Sequence, residues 1–389
     1  HFGSSRSHSG SSSAPPCAPR ASPVASGRLA RLPRAGLGMC QAEPIARVSA
    51  ADLSPEEFLR RFVAENTPVV LEGALPDCCR QALSWSPESL AAHAPAGSLV
   101  RVAPLPPDGR DKWIEEAALW PEAESLPALP GVVHAGRVLA VAAARIEVPA
   151  EDFAASLRGE GSLPALYADG ASNLEHSFGF LARDVASPPA VGGLLSFRKT
   201  DLWLGGRTLS TLHFDNYENL FAQLVGEKEF LLCPPGDSCH LIDGRLRKAY
   251  ATWDPSGFTR TAAGLSEETV INYAAYNIES PPPEYAERAG KLRRTVVRVR
   301  PGEVLYLPFG WWHQVRAAPA ANGLCASAAS FFDPFFVRLQ PKALPRLGRL
   351  VPNPKYRATC ERLGLGDSSD DEPSPGPAPG AAQGGARPG

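Results

Sequence analysis

One short stretch of the chain, His213-Phe-Asp215, carries two side chains that commonly bind metal ions. It follows directly after a run that is predicted to be a β-strand. Because side chains two positions apart point to the same face of an extended chain, His213 and Asp215 can bind one ion together from a single strand end. A third ligand has to come from elsewhere. His313 is well placed for this, because it follows another predicted strand and a Pro-Phe-Gly turn at 308–310.

Two imidazoles and one carboxylate on one face of a metal ion leave three coordination positions open. This ligand set is typical of non-haem Fe(II) oxygenases, in which a bidentate co-substrate takes two open positions and dioxygen takes the third. A structural zinc ion would instead require a fourth protein ligand. A His-x-Asp tripeptide also arises often by chance, so the residues around the pair have to decide between a metal site and a coincidence.

Two residues near this pair could receive an anionic co-substrate. Lys228 stands just before the apolar run Phe230-Leu-Leu232, on the predicted strand that follows His213. A lysine buried there would be costly unless an anion paired with it. Ser210 lies three residues before His213 and offers a hydroxyl on the same side of the predicted barrel. The alternatives are a surface lysine beside a hairpin turn and an ordinary strand serine.

The second half of the chain predicts the strands that would position these residues. From about residue 195, short apolar runs alternate with Gly and Pro turn signals, as at Lys228–Cys233 before Pro234-Pro235. Short strands at close spacing favour a sandwich or jelly-roll barrel. Residues 236–294 interrupt the pattern with a polar stretch that is rich in proline at 281–283. We interpret them as an insertion at one rim of the barrel.

The first half of the chain predicts short helices mixed with strands. Ser54-Pro-Glu-Glu57 combines an N-cap, a proline at the first helical position and a capping-box glutamate, and an amphipathic pattern follows. Trp85-Ser-Pro-Glu88 starts a second helix in the same way, and Pro149–Leu157 predicts a third. The fold class is therefore mainly β with flanking helices.

Several motifs taken together resemble the JmjC-domain 2-oxoglutarate oxygenases. They are Leu202-Trp-Leu-Gly205, Ser210-Thr-Leu-His-Phe-Asp-Asn-Tyr-Glu-Asn219, Gly226-Glu-Lys-Glu-Phe230, Pro301-Gly-Glu-Val-Leu-Tyr-Leu-Pro308 and Trp311-Trp-His313. The resemblance is strongest to the cupin-like branch of protein hydroxylases and, within it, to the subgroup of JmjC bifunctional peptidases and (3S)-lysyl hydroxylases. It implies a double-stranded β-helix, a jelly-roll or cupin-like barrel, with an N-terminal α/β extension.

Carried over residue by residue, the resemblance implies that His213, Asp215 and His313 bind Fe(II). Asn219 matches an asparagine near the iron. Ser330 lies where relatives carry Asn or Ser. Both are therefore expected to belong to the cofactor-binding set.

The resemblance also implies how 2-oxoglutarate is bound. Lys228 should pair with its distal carboxylate as a point charge. Ser210 and Tyr167 should donate hydrogen bonds to the same carboxylate, with Ser210 replacing the threonine that is usual in the family. Phe221 replaces a tyrosine, which removes one polar contact. The co-substrate would chelate the iron, and dioxygen would take the remaining position.

The expected function is that of an Fe(II)- and 2-oxoglutarate-dependent hydroxylase acting on a protein, at a lysyl side chain. The same chemistry on another residue, an RNA base or a methylated lysine is an alternative, and so is a non-catalytic cupin-like binding module. A peptidase gains no support, because no paired carboxylates or Cys-His arrangement is visible. Glu218 could contact a cationic substrate side chain, but we interpret it as a solvated carboxylate at the rim. The apolar side chains near the C-terminus predict either a homodimer contact or packing onto the barrel: Phe335, Phe336, Val337 and Leu339.

Composition argues against several other classes of protein. The chain has 39 basic and 41 acidic residues and a net charge of −2, which disfavours a broad nucleic-acid-binding surface. No apolar run approaches the length of about 18 residues that a membrane-spanning helix requires. The eight cysteines form no Cys-x-x-Cys pair. Their pattern disfavours a zinc ribbon and predicts a reducing compartment, the cytoplasm or the nucleus.

Both ends of the chain have a biased composition. Residues 1–44 are rich in Ser, Ala, Pro and Gly and read as a disordered or targeting segment. A transit peptide there would direct the protein to an organelle, whereas the sole methionine, Met39, allows that the part before it is not translated. Between the ends we expect an N-terminal α/β part at 45–195, the barrel at 196–340 within a JmjC domain of roughly 165–345, a C-terminal helical segment at 341–365 and a disordered tail at 366–389.

Overall fold

The computed structural model describes residues 44–123, 138–170, 173–191, 193–338 and 350–365. All of these residues belong to one unit that spans 38–389. The predictions made for residues 1–43, 341–349 and 366–389 fall outside the described residues.

Strands dominate the described part of the chain. The strands are β1 (Ala46–Ser49), β2 (Val69–Glu72), β3 (Leu99–Pro104), β4 (Lys112–Glu116), β5 (Val138–Ala143), β6 (Ile146–Pro149), β7 (Leu166–Asp169), β8 (Phe197–Gly205), β9 (Leu209–Phe214), β10 (Glu218–Val225), β11 (Glu227–Cys233), β12 (Leu246–Asp254), β13 (Gly257–Thr259), β14 (Leu265–Val270), β15 (Thr295–Val299), β16 (Val304–Leu307), β17 (Trp312–Ala318), β18 (Cys325–Phe332), β19 (Phe336–Arg338) and β20 (Leu350–Pro352).

The α-helices are short. They are α1 (Pro55–Phe58), α2 (Pro87–His93), α3 (Ala150–Leu157), α4 (Asn173–His176), α5 (Ser238–Leu241), α6 (Ala286–Gly290) and α7 (Arg357–Leu363). In the described part of the chain, none of them combines the length and the apolar character that crossing a membrane would require.

Two mainly antiparallel sheets form the walls of the barrel. The larger has the strand order β1-β2-β16-β10-β18-β8-β7-β3-β6, and the smaller has the order β15-β11-β17-β9. Apolar side chains of both sheets meet in one buried cluster: Val70, Phe221, Leu305, Leu307, Ala329 and Phe331 from the larger sheet, and Phe230, Leu232, Val297, Val299 and Val315 from the smaller. This sandwich confirms the predicted jelly-roll fold.

The N-terminal part covers the outer face of the larger sheet. Neighbouring side chains of a strand point to opposite faces, so Leu220 and Tyr306 point away from the barrel interior and pack against Phe58 of α1. Helix α1 begins as predicted, because Ser54 Oγ accepts a hydrogen bond from the Glu57 N–H at 3.2 Å. The packing of α1 thereby anchors the strands that carry the barrel interior.

Helices α2 and α3 cover the neighbouring part of the same face. Trp85 and Phe153 share a buried cluster with Leu202 of β8. Helix α2 starts with a capping box in which Ser86 and Ser89 exchange hydrogen bonds. Both helices begin where the sequence predicts them, and both pack on the outside of the barrel.

Residues 234–294 lie between two strands that pair directly, β11 and β15. Their strand β12 pairs in parallel with β5 of the N-terminal part. This pairing gives a separate sheet of order β13-β12-β5-β4, and β14 also pairs with β12. After β14 the chain passes beside β9, where Phe214 and Asn272 exchange hydrogen bonds of 3.0 Å. This stretch therefore lies next to the predicted metal ligands.

Candidate metal centre

His213 and His313 lie on neighbouring antiparallel strands. They are direct partners in the register of β9 and β17, and their ring centroids are 4.2 Å apart. Asp215 follows the end of β9, and its backbone carbonyl accepts a hydrogen bond from the Gly310 N–H at 3.1 Å. Gly310 has a φ of 79°, a conformation that glycine adopts without strain. The turn before β17 is thus tied to the loop that carries the carboxylate.

The three predicted ligands converge on one point. His313 Nε2 lies 3.8 Å from Asp215 Oδ2, and one ligand atom from each of His213, Asp215 and His313 lies within 4.8 Å of the others. Ligands at about 2.0–2.2 Å from one ion are at most about 4.4 Å apart, so small side-chain rotations suffice to bring all three to one ion. No other His, Cys, Asp or Glu joins this group within the described ranges.

Hydrogen bonds on the far side of each imidazole fix the nitrogen that faces the site. The Nδ1 of His213 donates to the Thr211 carbonyl at 2.7 Å, and the Nδ1 of His313 donates to the Trp311 carbonyl at 3.1 Å. Both Nε2 atoms therefore keep a lone pair for a metal ion. Burial, reinforced by His213, lowers the pKa of His313 to about 4, so this ring is neutral at pH 7. The donor chemistry fits Fe(II) with open positions.

Lys228 is a buried cation in the barrel interior. Only 2% of its surface is exposed, and its ammonium lies 4.9 Å above the centre of the Phe221 ring. Among the described residues it makes no hydrogen bond or ion pair. Burial lowers the pKa of Lys228 to about 8, although Cys325 and Asp111 oppose this effect. Such a group favours an anionic ligand strongly, because the ligand would supply the missing charge partner.

Ser210 and Lys228 point to the same face of the smaller sheet. They pair with Val315 and Ala317 of β17, which lie two positions apart, and Val315 belongs to the interior cluster. The Ser210 hydroxyl donates a hydrogen bond of 2.9 Å to Asp111 Oδ2. The other carboxylate oxygen of Asp111 is buried without a hydrogen-bond partner among the described residues. Sequence reasoning missed Asp111.

Tyr167 is buried within electrostatic range of the same carboxylate. Its ring is buried and packs so closely on β8 that a Cβ at Gly205 would lie 2.6 Å from it. Burial, together with Asp111 and Asp169, raises the pKa of Tyr167 well above its usual value, so the phenol keeps its proton and can donate a hydrogen bond. Of the three predicted 2-oxoglutarate residues, Ser210 contacts Asp111 directly, whereas Lys228 and Tyr167 are buried within electrostatic range of its carboxylate.

Asn219 is buried on β10 and faces the barrel interior. Its register partners are Leu307 and Phe331, and both belong to the interior cluster. Its Oδ1 atom has no hydrogen-bond partner within the described ranges. This placement is compatible with the predicted role near the iron.

The structure does not bring Ser330 to the metal centre. Side chains alternate along β18, so Phe331 points into the barrel and Ser330 points outward, where its hydroxyl bonds to Thr200 at 2.9 Å. This placement argues against direct contact with the cofactor.

The interpretation of Glu218 as a solvated rim carboxylate is wrong. Only 1% of it is exposed, and it accepts hydrogen bonds from the Tyr306 hydroxyl at 2.8 Å and from the N–H groups of Phe309 and Phe335 at 3.0 and 2.8 Å. Burial raises the pKa of Glu218. The residue anchors two turns on the outer face of β10.

A cavity of about 490 Å³ lies beside the metal ligands. Thr211 lines it, and so does Tyr273, whose ring stacks on His213 with centroids 5.6 Å apart. Asp111 and Lys112 line it as well, which connects the cavity with the Ser210 side of the interior. Tyr273 belongs to the stretch that sequence analysis treats as an insertion, and no pattern in the sequence marks it as a neighbour of the metal ligands.

Comparisons with known proteins agree with this geometry. A family model described as Cupin-like domain matches residues 55–338. The lysine-specific demethylase JMJ32 of Arabidopsis thaliana is 29% identical over 146 residues, which are 34% of this chain and 41% of that protein. The bifunctional peptidase and (3S)-lysyl hydroxylase JMJD7 of Homo sapiens is 31% identical over 123 residues, 30% of this chain and 37% of that protein.

A longer match, at lower identity, reaches JmjC domain-containing protein 4 of Schizosaccharomyces pombe: 22% over 219 residues, 51% of this chain and 41% of that protein. The matches span roughly two-fifths of the length of these curated relatives. JmjC proteins use Fe(II), 2-oxoglutarate and dioxygen, and the converged His-Asp-His group fits that use. Because the family model matches most of the length of this chain, the chain belongs to the Cupin-like domain family.

Proposed function

We propose that this chain is an Fe(II)- and 2-oxoglutarate-dependent oxygenase that hydroxylates a lysyl side chain of a protein. The observation that carries the proposal is the position of the metal ligands relative to Lys228. His213, Asp215 and His313 converge on the barrel interior, and a buried ammonium without an anionic partner among the described residues lies in the same interior. One group can bind a cation and the other an anion.

The imidazole and carboxylate ligands would hold Fe(II) from one side only. Bound Fe(II), with 2-oxoglutarate and dioxygen, supplies the oxidant that inserts one oxygen atom into a C–H bond, with succinate and carbon dioxide as co-products. The hydrogen bonds from Nδ1 of His213 and His313 to backbone carbonyls keep both rings oriented toward the ion. Asp215 supplies the negative charge.

Three residues would bind the distal carboxylate of 2-oxoglutarate. Lys228 supplies the positive charge, and the Ser210 hydroxyl and the Tyr167 phenol supply hydrogen bonds. The Phe221 ring beneath Lys228 excludes water from the ammonium, which strengthens its attraction for the carboxylate. Ser210 would turn its hydroxyl from Asp111 toward the ligand and donate its hydrogen bond to the distal carboxylate.

Two relatives support a lysyl substrate by their names. One is named a (3S)-lysyl hydroxylase and the other a lysine-specific demethylase. Both names describe chemistry on a lysyl side chain, which is why we propose lysine rather than asparagine, histidine or an RNA base. Demethylation of a methylated lysine is the second candidate, because it needs the same metal centre and the same co-substrate.

The test is a turnover assay with a panel of lysine-containing peptides, each in an unmodified and a methylated form. The full chain is supplied with Fe(II) and 2-oxoglutarate, and succinate and peptide mass are both measured. A lysyl hydroxylase adds one oxygen atom to an unmodified peptide, whereas a demethylase removes a methyl group. His213→Ala should abolish succinate formation, and His176→Ala on α4 is the matched control. Equal succinate from all three proteins would refute the proposal.

A reducing compartment, the cytoplasm or the nucleus, stays part of the proposal. This part of the proposal rests on the cysteine pattern of the sequence alone. Phe335 is buried and stacks on Tyr356 with centroids 5.6 Å apart, so it packs onto the barrel and is not accessible for a homodimer contact.

A further inference from the structure

A charged pair lies on the inner face of β8. Lys199 Nζ is 2.6 Å from Asp201 Oδ2. Asp201 shares its strand face with Trp203, two positions further on, whose ring packs inside the barrel against Phe221 and Phe331 with centroids about 6 Å apart. The carboxylate of Asp201 therefore belongs to the same interior as the metal ligands.

The two partners of this pair differ in burial. Asp201 is 1% exposed, whereas the Lys199 side chain is 30% exposed. The second carboxylate oxygen, Asp201 Oδ1, is buried without a hydrogen-bond partner in the part of the chain that the structure describes. A buried carboxylate with one donor is poorly satisfied. The lysine is the partner that can exchange, because its flexible stem reaches solvent.

One aromatic ring, that of Phe331, lies near the ammonium of this pair. Lys199 Nζ lies 5.5 Å from the centre of the Phe331 ring, and Tyr217 packs edge-on against the same ring with centroids 5.5 Å apart. An ammonium over an aromatic face is attracted by the ring electrons. Tyr217 is 38% exposed and follows Asp215 by two positions, so this aromatic group connects the surface with the loop that carries a metal ligand.

Asn219, Phe331 and Lys199 form a row across the neighbouring strands β10, β18 and β8. Asn219 is the register partner of Phe331, which in turn pairs with Lys199 across β18. Its buried Oδ1 is a second acceptor without a partner among the described residues. The row, together with Asp201, thus contains a carboxylate, an amide oxygen and aromatic faces, and these groups all favour a ligand that is a cation and a hydrogen-bond donor.

We propose that Asp201 and Phe331 form a subsite for the ammonium group of a substrate side chain, which Lys199 occupies until substrate binds. This rests on the proposed function and names what would make its site selective for lysine. A substrate ammonium would replace the Lys199 ammonium on Asp201, so no buried charge would lose its partner during the exchange. An uncharged side chain of the same length would have to bind without displacing Lys199.

The test is a binding experiment that does not depend on turnover. The full chain, loaded with Fe(II) and 2-oxoglutarate under argon, is titrated with Nα-acetyl-lysine amide and with Nα-acetyl-norleucine amide, and Kd values are compared. The wild-type chain should prefer the lysine compound by about tenfold or more, the effect expected of a charge-assisted contact. Asp201→Asn should remove this preference by weakening lysine binding while norleucine binding stays the same.

Two further variants keep the test decisive. Lys199→Gln removes the competing ammonium and should tighten lysine binding several-fold, and it remains informative if Asp201→Asn does not fold. Asp333→Asn is the matched control, since Asp333 is also a buried aspartate in ion pairs, with Arg198 and Lys355, but it lies away from the interior cluster. It should leave the preference unchanged.

The outcomes separate this subsite from the proposed reaction. A wild-type chain without preference for lysine, or an Asp201→Asn chain that keeps the preference, would overturn the subsite even if peptides are hydroxylated. Conversely, a preference that depends on Asp201 in a chain that forms no succinate would support the subsite and refute the oxygenase.

Discussion

The ammonium of Lys228 lies 4.9 Å above the Phe221 ring, deep in the barrel. The ring partly compensates for the lost hydration of the ammonium but supplies no negative charge. In the ligand-free protein this lysine therefore opposes folding, and it gains its charge partner only when an anion binds.

Replacing Lys228 with methionine should separate binding from stability. Lys228→Met keeps an unbranched side chain on Phe221 and removes the charge. We expect affinity for 2-oxoglutarate to fall by roughly 10- to 100-fold, the loss typical of a charged hydrogen bond. The thermal unfolding midpoint of the ligand-free chain at pH 7 should stay the same or rise. Lys248→Met, at a partly exposed lysine paired with Glu268, is the control and should leave 2-oxoglutarate affinity unchanged.

The pH dependence of 2-oxoglutarate binding should follow Lys228. Its pKa of about 8 in the folded chain means that the ammonium begins to lose its proton above that pH, so affinity should fall as pH rises through 8. Between pH 8 and the usual value of 10.5 the unfolded chain binds one more proton at this residue than the folded chain, so the contribution of Lys228 to stability should increase with pH. Isothermal titrations and urea unfolding across this range, with Lys228→Met as reference, measure both effects.

The charge of Asp111 should set the pH at which the affinity for 2-oxoglutarate begins to fall. Its carboxylate raises the pKa of Lys228 against the effect of burial. Asp111→Asn should therefore move the fall in 2-oxoglutarate affinity to lower pH. Ser210→Ala removes the hydrogen bond to Asp111 but keeps its charge, so it should weaken binding without moving the midpoint. Identical midpoints in Asp111→Asn and the wild-type chain would show that this charge does not act on Lys228.

Two adjacent glycines should respond differently to a methyl group. A Cβ at Gly205 would lie 2.6 Å from the Tyr167 ring, whereas the nearest atom to a Cβ at Gly206 would be the Gly323 carbonyl oxygen at 3.5 Å. Gly205→Ala should lower the free energy of unfolding by about 1–3 kcal/mol, the usual cost of overpacking, and weaken 2-oxoglutarate binding through Tyr167. Gly206→Ala should stay within about 0.5 kcal/mol of the wild-type chain. The free energies of unfolding are measured by urea denaturation. Equal losses in Gly205→Ala and Gly206→Ala would contradict this account.

The sequence carried enough information for the strands that hold the metal ligands. His213 and His313 both stand at strand ends with clear turn signals, and strand alternation placed His213 and Asp215 on one face. The helix starts at Ser54 and Ser86 were also predictable, because an N-cap is a local signal that does not depend on tertiary contacts.

For a strand that is buried on both faces, the sequence does not predict which side chains point into the barrel and which point outward. All eight residues of β10 and all eight of β18 are buried, so polarity does not distinguish the two faces of either strand. For this reason Glu218 could not be recognised as a buried anchor, and Ser330 could not be recognised as pointing away from the barrel interior.

Contacts made across long sequence separations were also missed. Asp111 reaches Ser210 because a short bridge pairs Arg110 with Leu209 just before β4 begins. Tyr273 reaches His213 through the chain that follows β14. Neither contact has a local sequence signal, since both arise from how separate sheets pack together.

Metal stoichiometry tests the central claim most directly. The full chain, purified without metal, is incubated with Fe(II) under argon, freed of excess ion and assayed for bound iron. We predict one ion per chain in the wild-type protein and in His176→Ala, and a loss of bound iron in His213→Ala, Asp215→Ala and His313→Ala. Wild-type protein that retains no iron, or triad variants that retain as much as the wild type, would contradict the account.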